Sequence, residues 1–166
     1  MTDANSSFWD FSLKLFAKPS IARACLDLQD SLGIDVNVLL FMLWCAHCGR
    51  RLNARDVGSV VNLVKSWQED VVWPLRLART ALKRPTPNWP PTQTRELRES
   101  VKAAELEAER LQQEVMATII PVDKIGLPDT IDAATAANLT SYAELMHATF
   151  PSAHIAVFLN CLKEPP

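Results

Sequence analysis

The stretch DVNVLLFMLWCAHCGRRL, residues 35–52, decides the fold. From Val38 to Ala46 it is apolar almost all round, whereas a surface helix keeps its apolar residues to one stripe. Such a segment predicts a central helix buried by its neighbours. Asp35 is placed to cap its start, and Gly49 with Arg50 and Arg51 to close it, the cations suiting the negative end of the helix dipole. The apolar run is far short of the about 20 residues that cross a bilayer.

The same stretch holds Trp44-Cys45-Ala46-His47-Cys48. Redox chemistry of the Cys-x-x-Cys kind needs the first cysteine near a helix N-terminus, where the dipole stabilises a thiolate, with a strand before it. Here both cysteines fall near the end of an apolar helix, where burial and the dipole oppose ionisation. A closed zinc site would need two more ligands. The candidates, Cys25, Cys161, His147 and His154, are scattered. The motif reads as core packing, with no metal, no cofactor and no catalytic residue assigned.

Working outward, Ser6 or Ser7 can cap a first helix that places Phe8, Phe11 and Leu15 on one face. Pro19 and Ser20 open a second, in which Ile21, Ala24, Cys25, Leu28 and Leu32 repeat at helical spacing and Gly33 suits the C′ position. Asn53 or Asp56 opens a fourth, running to about Lys83 with a stripe from Val57 to Leu82. Pro74 interrupts that stripe and predicts a kink near Val71–Trp73, or two helices end to end. The proline-rich segment 84–94 connects onward, with Trp89 expected to pin it to the body.

The helix at 93–119 has the most regular pattern. Leu97, Val101, Ala104, Ala108, Leu111 and Val115 form a heptad seam with alanines at its centre. It can fold back on the fourth-helix stripe, the favoured reading, or pair with a partner protein or a second copy. Residues 120–166 predict a loop and two shorter helices, and no convincing strand appears anywhere.

Charge and composition exclude several classes. A net charge of −2 disfavours a nucleic-acid binder. Residues 1–119 carry 15 basic and 14 acidic groups and residues 120–166 carry 2 and 5, too small an asymmetry to name a partner. The N-terminus, broken by Asp3, Asp10 and Lys14, lacks a signal-peptide core. The expectation is a cytoplasmic protein with reduced cysteines and no membrane association.

Two polar clusters remain. Glu69, Trp73 and Arg76, at i, i+4 and i+7 with Asp70 beside them, share a helix face that with Trp9 could line a ligand or partner site. An ordinary exposed Glu–Arg face is the favoured explanation for them. Arg76, Arg79, Lys83 and Arg84 could meet phosphate, but they also lie where cations compensate a helix C-terminus.

The elements Phe8–Ser12, Cys25–Asp30, Asp35–Phe41 and Trp67–Arg76 match the runs Phe-Trp-x-Phe-Ser, Cys-Leu-x-Leu-Gln-Asp, Asp-Val-Asn-x-Leu-Leu-Phe and Trp-x-x-x-Val-x-x-Pro-Leu-Arg. Over about residues 8–115 the chain resembles a small proteobacterial family of unknown function. The resemblance implies an all-helical cytoplasmic protein and carries no activity, ligand or catalytic residue.

The expected fold is all-α: a compact helical bundle around a buried central helix. Segment 1–84 forms an N-terminal helical core and 85–92 a Pro-rich connector. A long heptad-patterned helix, 93–119, packs on the core or dimerises, and 120–166 is a short helical C-terminal extension. The leading functional expectation is a non-catalytic interaction or adaptor module. The alternative is a small-molecule-binding protein or enzyme with a pocket between the first, third and fourth helices.

Overall fold

The computed structural model describes residues 4–84 and 87–163, with side chains from Phe8 onward. The architecture is all-α. Helix α1 spans Ala4–Phe16, α2 Pro19–Leu32, α3 Val36–His47 and α4 Ala54–Trp67. A π-helical turn, Gln68–Val72, leads into α5, Trp73–Ala81. The long α6 spans Pro91–Ile119, α7 Ile131–Leu145 and α8 Ser152–Lys163.

The chain divides into two units. Residues 1–63 and 113–166 form the first, and residues 64–112 form the second.

In the first unit α3 is the core helix. Nine of its residues, Asn37 to Leu43 with Cys45 and Ala46, are buried, as a helix apolar all round requires. Asp35 caps it by accepting from the backbone N–H groups of Asn37 at 2.8 Å and Val38 at 3.4 Å. α1, α2 and α7 pack around it. Phe8 and Leu15 from α1, and Ile21, Ala24, Cys25 and Leu28 from α2, supply the apolar walls at the expected spacing. α1 begins at Ala4, so Ser6 and Ser7 lie inside it, and their side chains fall outside the described residues. Gly33 ends α2 in the left-handed region at φ 66°.

The end of α3 corrects the sequence reading. Helix stops at His47, and Arg50–Arg51 then pair antiparallel with Leu127–Pro128 (β1 and β2), a small sheet that no local pattern announced. Arg50 serves this link rather than the helix dipole. It donates from Nε to the Ile125 carbonyl at 2.7 Å and from Nη2 to that of Gly126 at 2.8 Å. The buried Asn138 of α7 completes the corner. Its Oδ1 accepts from the Leu52 N–H at 2.7 Å, and its Nδ2 donates to the carbonyls of Met42 at 3.1 Å and Arg50 at 3.0 Å. Backbone groups left over where α3 ends are thus satisfied from α7. Tyr142 Oη accepts from the Asp35 N–H at 3.1 Å, which ties α7 to the other end of α3.

Asn53 and Asp56 open α4 together. The Asn53 N–H donates to Asp56 Oδ2 at 3.0 Å and the Asp56 N–H to Asn53 Oδ1 at 2.9 Å, a reciprocal capping box. The kink expected before Pro74 takes the form of the π turn. Over Gln68–Val72 the helix widens, the Trp73 N–H donating to the Gln68 carbonyl five residues back, which gives the ring of Pro74 room against the preceding carbonyls.

Candidate functional site

The second unit is a helical hairpin. One arm is the end of α4, the π turn and α5; the other is α6 as far as Gln112. Trp67 Nε1 donates to the Ala108 carbonyl at 3.0 Å and joins the arms at one level.

At the next level the arms are joined by charge. Arg76 donates from Nε to Glu105 Oε1 at 2.9 Å and from Nη2 to Glu109 Oε1 at 2.7 Å. Arg79 donates from Nε to Glu105 Oε2 and from Nη2 to Glu105 Oε1 at 3.2 Å. Glu105 keeps only 7% of its side-chain exposure, Arg76 14% and Arg79 21%. Burial alone would raise the Glu105 pKa, but the hydrogen bonds from Arg79 and Arg76 outweigh it and hold the carboxyl below the ordinary range. The same bond to Glu105 raises the Arg79 pKa. The basic pair read as dipole compensation is therefore the cross-link of the hairpin.

With charge inside, apolar groups stand outside. α5 buries none of its residues, and Trp73 and Leu77, one turn apart, are 46% and 53% exposed. Of the six seam residues only Ala108 is buried and Val101 half-buried. Leu97, Ala104, Leu111 and Val115 are exposed. The inward positions of α6 in this unit are Glu105, Ala108 and Gln112. α6 thus folds back on the arm that carries Trp67, as the favoured reading had it, but with Ala108 alone of the seam buried at the contact and the other inward positions polar.

The second cluster is divided. Trp9 is half-buried on α1 in the first unit, and Glu69, Asp70, Trp73 and Arg76 belong to the hairpin. Glu69, Asp70 and Trp73 are exposed, whereas Arg76 turns to Glu105 and Glu109. Arg76, one turn on from Trp73 in α5, directs its guanidinium to the carboxylates of α6 instead.

Trp89, expected to pin the connector, is 66% exposed. It lines a cleft of about 610 Å³ at the hairpin tip, with Leu82, Lys83, Arg84, Thr94, Arg95 and Arg98 around it.

Of the two cysteines of the motif, only Cys45 is core packing. Cys45 is buried and Cys48 exposed at the C-cap, and both are free thiols. Burial raises the pKa of Cys45 and pushes that of Cys48 up to about 11. His47 stacks in an aromatic group with Phe11 and Trp44, and burial lowers its pKa. Among the described residues, no group of three His, Cys, Asp or Glu side chains could hold a metal ion. Nor is any helix there long and apolar enough to cross a membrane.

No curated protein and no solved structure matches the chain. Residues 7–116, which include the whole hairpin, match the family described as "Protein of unknown function (DUF2390)", and the chain belongs to that family.

Proposed function

We propose that the protein is a non-catalytic cytoplasmic interaction module whose hairpin presents its outer apolar face to a protein partner. One observation carries this reading: the hairpin is inverted, with Glu105, Arg76 and Arg79 inside and Trp73, Leu77, Leu97 and Leu111 outside. A hairpin cross-linked by ions does not need those side chains for its own core. Exposed groups of this size forgo up to about 1.5–3 kcal/mol each relative to full burial, which a partner surface recovers. Leu97, Ala104 and Leu111 repeat every seven residues, a strip of roughly 21 Å at 1.5 Å per residue. The alanine at its middle lets another helix come close. Exposed apolar side chains gathered in this way mark interaction sites on otherwise polar proteins.

The double substitution Leu97→Glu/Ala104→Glu tests the reading. Both sites are exposed, so the variant should fold with an unchanged circular dichroism spectrum. In cell extract the native chain should migrate as part of an assembly larger than the monomer, and the variant as a monomer. Identical migration of the two would overturn the proposal. Sedimentation of the purified chain then separates self-association from capture of a different protein.

A further inference from the structure

The tip of the hairpin supports a second inference that does not depend on the outer face. We propose that the cleft beside Trp89 binds a small phosphate-bearing molecule with a planar ring, of the nucleotide class. Its volume of about 610 Å³ lies within the range of small-ligand pockets, roughly 300–1,000 Å³. Two kinds of chemistry line it. Trp89, with Leu82 and Pro91 nearby, offers an aromatic and apolar wall. Lys83, Arg84, Arg95 and Arg98 bring four cations to the same cleft.

Three features favour an anionic ligand. Residues 82–98 hold those four cations against one carboxylate, Glu96, in a chain of net charge −2. Neither Lys83 nor Arg95 has an ion-pair partner among the described residues. Arg98 donates from Nη1 to Glu99 at 3.2 Å, but its Nε–H is closed off from solvent and has no acceptor. The cleft also lies at the start of α6, whose dipole adds to the attraction.

The ring is inferred from Trp89. A tryptophan left 66% exposed beside guanidinium groups is a stacking surface, and base–aromatic stacking contributes roughly 1–3 kcal/mol. A nucleic-acid strand fits less well. Its backbone would need cations continuing along the arm, but residues 99–114 carry five carboxylates and two cations.

Calorimetric titration of the full chain with ATP, tripolyphosphate and a thymidine 20-mer, repeated on Trp89→Ala and Arg95→Glu, tests the proposal. Both substituted side chains are exposed, so the fold should survive. The expected result is saturable binding of one ATP per chain, weakened roughly tenfold or more by either substitution. Tripolyphosphate should bind more weakly than ATP and be insensitive to Trp89→Ala. Absence of ATP binding at about 1 mM overturns the proposal. So does equal binding of ATP and tripolyphosphate, which removes the ring, or tighter and strongly salt-dependent binding of the 20-mer, which makes the ligand a strand.

Discussion

Replacing Glu105 with alanine removes three hydrogen bonds at once and leaves Arg79 without its carboxylate. Stripping one partner from a buried ion pair costs about 3–5 kcal/mol. Here Arg76 and Arg79 retain 14% and 21% of their exposure, so water restores part of their solvation. Glu109 also still holds Arg76. The low end, about 3 kcal/mol, is the expected loss. The combined change Arg76→Leu, Arg79→Met, Glu105→Leu removes the buried carboxylate together with both its arginines, takes Arg76 only from the quarter-exposed Glu109, and should cost much less than Glu105→Ala. Native-state hydrogen exchange of α6 amides between Arg98 and Glu109 reads this locally, without unfolding the rest of the chain. Titration supplies an independent check. The folded pKa of Glu105 lies below its unfolded value near 4.5. Its stabilisation is therefore complete above the unfolded value and lost as pH falls through the folded one. Acid should loosen the native hairpin and spare the apolar triple variant. A loss below about 0.5 kcal/mol on Glu105→Ala, the size of a surface pair, would refute the view that charge holds the arms together.

Three further outcomes follow from the first unit and the cysteine motif. Asn138→Leu keeps the volume but strands the buried Leu52 N–H and takes a donor from the Met42 and Arg50 carbonyls; it should lower stability by about 2–3 kcal/mol, read from the urea midpoint. Gly126→Ala forces a side chain to φ 65°, with its Cβ against the Arg51 carbonyl and 2.8 Å from Leu52 Cδ2; a fall in melting temperature corresponding to about 2 kcal/mol is expected. Cys48, with its pKa near 11, should react with iodoacetamide slowly at neutral pH, at a rate rising roughly tenfold per pH unit toward that value. Fast labelling at pH 7 would show an activated thiol.

The helices were legible where local chemistry is self-sufficient. The apolar run of α3, the Asp35 cap, Gly33 and the Asn53/Asp56 start each follow from residues within a turn or two. Pro74 pointed to the place of the π turn, but the bonding of Arg76 to Glu105 and Glu109 depended on the opposite arm. The sheet between Arg50–Arg51 and Leu127–Pro128 was out of reach. Its partners lie far apart in sequence, and the residues that hold it, Arg50 and Asn138, bond to backbone, which leaves no side-chain pattern. The α6 seam was misleading for a different reason. Heptad spacing shows which side chains are apolar, but the inward face of this arm was selected by two arginines on the opposite arm. Trp89 was noticed in the sequence, yet its association with Arg95 and Arg98 required the hairpin to close.

A photo-crosslinking amino acid placed at Ala104, and in a separate chain at Lys102, tests the central claim most directly. Both positions are exposed on α6, but two residues apart they face nearly opposite sides of the helix. If the strip of Leu97, Ala104 and Leu111 is a partner's contact surface, irradiation in cells should give a discrete adduct from position 104 and none from 102. Adducts of equal yield from both positions, or none from 104, would contradict it.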